Sequence, residues 1–184
     1  MGMRDLLQES AAMQQKILEY HNQAFVLNSI GDSQPFTPEG HRRFLESLPH
    51  LERKHYIVYF DHEPIGKFSF NPPGKNADFA DELGDYLFFE DDLRSGLGVL
   101  LRMFSERYLF ECLGIREVRF SVRKDNKASN ATSRKMGARQ VSEAGGLNFY
   151  TVSKDDYIKA RGKYDPILQA AFAGYTRPLP VTSA

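Results

Sequence analysis

Residues 89–99 read Phe-Glu-Asp-Asp-Leu-Arg-Ser-Gly-Leu-Gly-Val, the stretch whose residue types and spacing best suit chemistry on a bound ligand. Gly96 and Gly98 let a ligand approach the main chain closely, where a helical pattern begins at Leu97. The first N–H groups of a helix have no partner inside it, and with the helix dipole they favour a phosphate or pyrophosphate. Arg94 adds a charge-assisted bond. Tight packing at a helix start also selects Gly-x-Gly, so the segment alone leaves both readings open. Two phosphate-binding classes are excluded. No Gly-Lys-Ser or Gly-Lys-Thr follows, as a P-loop requires, and Leu101 stands where the dinucleotide fingerprint has its third glycine.

The other chemistry-bearing residues set limits. The five histidines are scattered without metal-ligand spacing, so no metal site is expected. Cys112 is the single cysteine, which excludes an intrachain disulfide and suits a reducing cytoplasm. It falls on the apolar stripe of its helix and is expected to be packed. Lysine plus arginine equals aspartate plus glutamate, 24 each, leaving no basic excess for nucleic acid or an anionic membrane surface. No signal-peptide pattern opens the chain and no apolar run is long enough to span a bilayer, so a cytoplasmic location is expected.

Periodicity supplies the elements that must position the 94–99 loop. Residues 10–26 read as one helix, with Met13, Ile17, Tyr20 and Ala24 recurring at spacings of three and four. A loop through Gly31, Asp32 and Pro35 leads to Thr37-Pro38-Glu39, a capped start for a helix that buries Phe44, Leu45 and Leu48. Residues 55–60 and 65–70 form a hairpin, Pro72-Pro73-Gly74 breaks it, and residues 82–89 make a third strand. Leu97, Leu101, Phe104, Tyr108 and Cys112 mark the clearest helix, ended by Gly114. Residues 117–122 alternate as a half-buried strand, Asp125 caps a short helix ending before Gly137, and two strands flank Gly145-Gly146. Residues 154–173 are helical, and 177–180 lie in a loose tail. This order predicts an α/β (α+β) fold with a mixed, mostly antiparallel central sheet of about six to seven strands and helices on both faces. The 184 residues make one domain, 1–153, followed by a C-terminal helical extension and tail, 154–184.

The stretch 82–137 resembles the acetyl-CoA core of the GNAT superfamily of N-acetyltransferases. The cofactor loop of that family is commonly Gln/Arg-x-x-Gly-x-Gly/Ala. Gly96 and Gly98 take its two small positions, whereas Leu93 stands at the polar position and the arginine comes one place later, at Arg94. The family's later helix start, Asn-x-x-Ala/Ser with a glycine near the helix end, is matched by Asn126, Ser129 and Gly137. A wider likeness runs through residues 41–48, Tyr56, Pro64-Ile65-Gly66, 82–86 and Asn148-Phe149-Tyr150. It is similar to the branch of UDP-amino-sugar N-acetyltransferases of pseudaminic acid synthesis, with ribosomal-protein N-terminal acetyltransferases nearby.

The resemblance implies an enzyme that moves the acetyl group of acetyl-CoA to a primary amine of a small molecule, a nucleotide-linked amino sugar being the implied acceptor. Protein N-terminal or lysine acetylation and a non-catalytic acyl-CoA-binding module are the alternatives, and a homodimer is admitted. On this reading Glu82 is the general base, acting through water, with Asp85 as substitute. Main chain at Leu87, Phe88 and Phe89 pairs with pantetheine, and Arg94, Ser95, Gly96, Leu97, Gly98 and Val99 hold the pyrophosphate. Asn126 either binds pantetheine amides or caps its helix. Ser133 stands where family members often place a tyrosine acid. Ser129, also a cofactor contact, lies one turn away, so both serines are candidate proton donors to the thiolate, with Tyr150 a third. Tyr20, Phe36 and Tyr86, near His21 and Phe25, either line the acceptor pocket or belong to the core.

Overall fold

Alternation along residues 54–71 sends successive side chains to opposite faces of a sheet, and the layers of the structure, a computed structural model, are built on that split. It describes residues 1–30, 34–74 and 78–171, with the side chains of Glu82 and of residues 167–171 outside the described ones. Gly31 and Asp32 of the expected loop and the expected tail at 177–180 also lie outside the described residues.

Seven strands form one sheet: β1 (Gly2–Asp5), β2 (Lys54–Phe60), β3 (Glu63–Asn71), β4 (Phe79–Leu87), β5 (Glu117–Arg123), β6 (Arg139–Ala144) and β7 (Leu147–Ser153). Their order is β1-β2-β3-β4-β5-β7-β6, and every neighbouring pair is antiparallel except β4 and β5. The mixed, mostly antiparallel sheet is the one the sequence predicts. The helices are α1 (Ala11–His21), α2 (Ala24–Ile30), α3 (Pro38–Ser47), α4 (Leu97–Arg107), α5 (Lys127–Lys135) and α6 (Lys154–Ala171).

The two sheet faces carry separate cores. Val58, Phe68 and Phe70 pack with Leu101 of α4 and Tyr157 of α6. Ile57, one residue from Val58, packs instead with Leu6, Ile17 and Tyr20 of α1, Leu48 and Phe88, with Phe44 and Leu45 of α3 beside them. Each fully buried aromatic or aliphatic side chain contributes about 1.5–3 kcal/mol. Gly66 sets how closely α4 lies on β3: a Cβ there would stand 2.5 Å from the Tyr86 carbonyl oxygen and 2.9 Å from Leu101 Cδ2. Tyr157, buried in the main core, ties the first turns of α6 to the rest of the domain.

Several expectations are corrected. The helix expected at 10–26 is two helices, because Asn22 is taken up elsewhere: its Nδ2 donates to the Phe36 carbonyl at 2.8 Å and its Oδ1 accepts from the Phe36 N–H at 2.9 Å. The third expected strand begins and ends earlier than 82–89, at Phe79 and Leu87. Asn126 caps α5, accepting from the Ser129 N–H at 3.0 Å, while Asp125 pairs with Arg123 at 2.6 Å. Cys112 is exposed, not packed. Residues Tyr108–Cys112 form a π-helical turn, with the Leu113 N–H donating to the Tyr108 carbonyl, so an extra residue per turn brings Leu109 and Phe110 inward and turns Cys112 out.

Candidate active site

β4 and β5 pair only at Phe79–Glu117 and Ala80–Val118 among the described residues. Beyond that the strands part, and a cleft of about 2070 Å³ opens, walled by Leu83, Asp85 and Leu87 of β4, Arg119 and Ser121 of β5, and α5. Antiparallel ladders turn the main-chain groups of alternate residues toward and away from a neighbour. The Phe88 N–H donates to the Ile65 carbonyl at 2.9 Å, so Leu87, one residue earlier and opposite Gly66, turns its N–H and C=O away from β3 toward the gap. The Phe88 carbonyl accepts from Gln23 Nε2 at 2.6 Å, and that of Phe89 accepts from the Asp92 N–H. Of the three expected main-chain partners, Leu87 presents both groups to the gap, Phe88 presents neither, and Phe89 keeps only its N–H.

The acidic turn Glu90–Asp92 leads from the strand to the start of α4. Arg94 and Gly96 are both left-handed, with φ of 74° and 93°. That conformation costs a non-glycine residue about 1–2 kcal/mol, a strain of the kind that gathers at ligand clamps. Ser95 Oγ donates to the Asp92 carbonyl at 2.7 Å and accepts from the Leu97 N–H at 3.1 Å. Ser95 and Leu97 are therefore committed to the turn, and the N–H groups at the helix start that remain for a ligand belong to Gly96, Gly98 and Val99, which line the cleft with Arg94. A Cβ added at Gly98 would meet nothing nearer than Leu87 Cδ1 at 3.7 Å, so packing does not require a glycine there.

The acid and base candidates are spread over three elements. Glu82 lies on β4, with its side chain outside the described residues. Asp85 accepts from Arg102 Nη1 at 3.1 Å. Arg102, buried, also holds Glu106 Oε1 at 2.7 Å and lies 3.8 Å over the Phe120 ring. Asp85 is thus held in an ion pair that joins β4 to α4. Burial raises the Glu106 carboxyl, with Arg102 pulling the other way. Ser129, half-buried, and Ser133, buried, both line the cleft. Asn126 is committed to its cap and, at 3.4 Å, to the Ser29 carbonyl. Asn130 is a buried hub whose Oδ1 accepts from Asn148 Nδ2 and from the Tyr150 hydroxyl, both at 2.8 Å. The Tyr150 proton is therefore already engaged.

At the other end of the cleft, Phe36 stacks on His21 with ring centroids 4.4 Å apart, and Tyr86 joins them. Tyr20 is not part of this lining: it stacks on Phe88 at 4.3 Å inside the second core. Sequence reasoning missed His55, Lys67 and Phe44, which line the same end. Burial, then Lys67 and Arg53, pushes His55 down to about 3; burial, then Arg53, pushes Lys67 down to about 8. Burial raises the Tyr86 hydroxyl. The signal in the sequence was that Lys67 and Ser69 share one strand face, which a polar-outside pattern assigns to solvent.

Solved structures carry the same architecture. The Campylobacter jejuni N-acetyltransferase PseH in complex with acetyl coenzyme A is similar with a TM-score of 0.65 at 18% identity, over 83% of this chain and 97% of that one. The aminoglycoside acetyltransferase AAC(6')-Ib in complex with coenzyme A and kanamycin gives 0.69 at 16% identity, over 87% and 98%. The chain has the GNAT fold. An uncharacterized protein from Bacillus halodurans shares the architecture with a TM-score of 0.76 at 9% identity, over 90% of each chain. No protein-family model matches the sequence, and no curated protein matches it either.

Proposed function

We propose that the protein is an acetyl-CoA-dependent N-acetyltransferase acting on a primary amine of a small molecule. The observation that carries this reading is the gap between β4 and β5 beside the first-turn N–H groups of Gly98 and Val99, which line the cleft, in a fold whose solved examples include complexes with acetyl-CoA and CoA. The residues fit that cofactor. Leu87 offers an N–H and a C=O to an extended chain bearing amides, Gly98 and Val99 offer N–H groups to a pyrophosphate, and Arg94 adds a charge.

Acetyl-CoA supplies a thioester whose acyl carbon an amine attacks. The chain's own residues handle the protons. Glu82 on β4 accepts the proton lost by the amine, through water, as the C–N bond forms. Breaking the C–S bond leaves a thiolate, and Ser133, or Ser129 one turn earlier, hands it a proton. The finer assignment, a nucleotide-linked amino sugar as acceptor, is supported by the likeness to PseH. A cytoplasmic site of action and a homodimer belong to the same proposal. Among the described residues no helix is long and apolar enough to cross a membrane.

Thiol release from acetyl-CoA across a panel of amines tests the reading. Glu82→Gln is expected to lower kcat about 100-fold and to remove the acidic limb of the pH profile. An unchanged rate and profile would remove Glu82 from the base role. Tight CoA binding with no turnover on any amine would favour the binding-module alternative.

A further inference from the structure

Cross-strand partners put His55, Ser69 and Gly84 in one row and Ile57, Lys67 and Tyr86 in the next, with Ile57 packed against α1 on this face. Lys67 is 9% exposed, and its Nζ lies 5.4 Å from the Phe44 ring centroid and 5.9 Å from that of Tyr86. It has no carboxylate partner among the described residues, and the charge that acts on it is another cation, Arg53. Asp85, next to Tyr86 on β4, points to the opposite face and is held by Arg102. Beside the ammonium stand two further polar groups without partners: both ring nitrogens of His55 and the Tyr86 hydroxyl are buried and make no hydrogen bond. All three side chains line the cleft.

A buried ammonium with two unmatched donors is an unfavourable arrangement that a ligand can relieve. An oxyanion answers it. Its oxygens accept from Lys67, from whichever His55 nitrogen carries the proton, and from Tyr86, and its charge offsets that of Lys67. We propose that this end of the cleft is an anion subsite, where a carboxylate or phosphate of the amine acceptor docks on Lys67, His55 and Tyr86 while Phe36 and Phe44 cover an adjoining apolar part. The proposal rests on the acetyl-transfer reading only in calling the ligand an acceptor. A polycationic amine, such as the kanamycin bound in one of the similar structures, is disfavoured by the same lysine.

The test is calorimetric titration of the CoA-saturated protein with phenyl phosphate, with benzoate, and with benzyl alcohol as the neutral control. At least one anion should bind ten times more tightly than the alcohol, and the two anions tell a phosphate site from a carboxylate site. Lys67→Met, which removes an unpaired buried charge, should fold normally and lose that tenfold advantage, and Lys67→Arg should keep most of it. As a second readout, the NMR signal of the Lys67 Cε methylene in the unmutated protein should shift on adding the anion that binds. Anions that bind no better than benzyl alcohol, an advantage that survives Lys67→Met, or an unmoved Lys67 signal would overturn the subsite. A CoA titration run first keeps the two failures apart. Bound CoA with no anion response sinks the subsite alone. Absent CoA binding sinks the acetyl-transfer reading, while the Lys67 dependence of anion binding still decides the subsite.

Discussion

Gly66 and Gly98 are glycines for different reasons, and single substitutions separate them. Alanine at 66 would press on the Tyr86 main chain at 2.5 Å, so Gly66→Ala should cost about 1–3 kcal/mol in denaturant unfolding. Gly98→Ala has room beside Leu87 and should leave stability unchanged or raise it by up to about 1 kcal/mol. Its effect should fall on CoA, with affinity down about tenfold, or about 1.4 kcal/mol. His55 gives a pH prediction. The folded protein holds it neutral to about pH 3, whereas an unperturbed histidine protonates near 6.5. Between those values the unfolded chain binds the extra proton, so stability falls as pH drops through the window, and above it His55 adds no pH dependence. Urea midpoints at pH 4 and pH 7 should lie closer together in His55→Gln.

Along α4 the Arg102–Glu106–Asp85 group joins the helix to β4 through a buried cation. Removing the cation strands the Glu106 carboxylate, so Arg102→Met should cost about 3–5 kcal/mol, and adding Glu106→Leu should restore most of it. Thermal melts of the single and double variants check this. The helix itself could be read from Leu97, Leu101 and Gly114, as could the capped start of α3 at Thr37, because local spacing and capping decide them. The exposure of Cys112 could not, since apolar spacing says nothing about where a π turn shifts the register. The strand end was missed for a related reason: Phe88 and Phe89 have strand-like side chains, but Gln23 takes the Phe88 carbonyl from another element. Lys67 escaped notice because a lysine on an alternating strand looks solvated until α3 brings Phe44 over it.

For the whole molecule, the proposed function rests on a gap between two strands that pair at one end only among the described residues. Nothing local in residues 79–87 or 117–123 announces that parting, which arises where the parallel pair joins the two antiparallel parts of the sheet. The sequence order of strands and helices was enough for the fold, and the glycine loop read from the sequence lies along the cleft. A ligand that binds only the folded state adds about 2.7 kcal/mol at a concentration 100 times its Kd, so CoA should raise the Tm measurably. The most direct measurement is an acetyl-CoA titration by calorimetry on the unmutated protein, Gly98→Ala and Arg94→Ala. Saturable one-to-one binding is expected, weakened in both variants while their folds stay intact. No binding, or an affinity that neither substitution changes, would contradict the placement of the cofactor between β4, β5 and the start of α4.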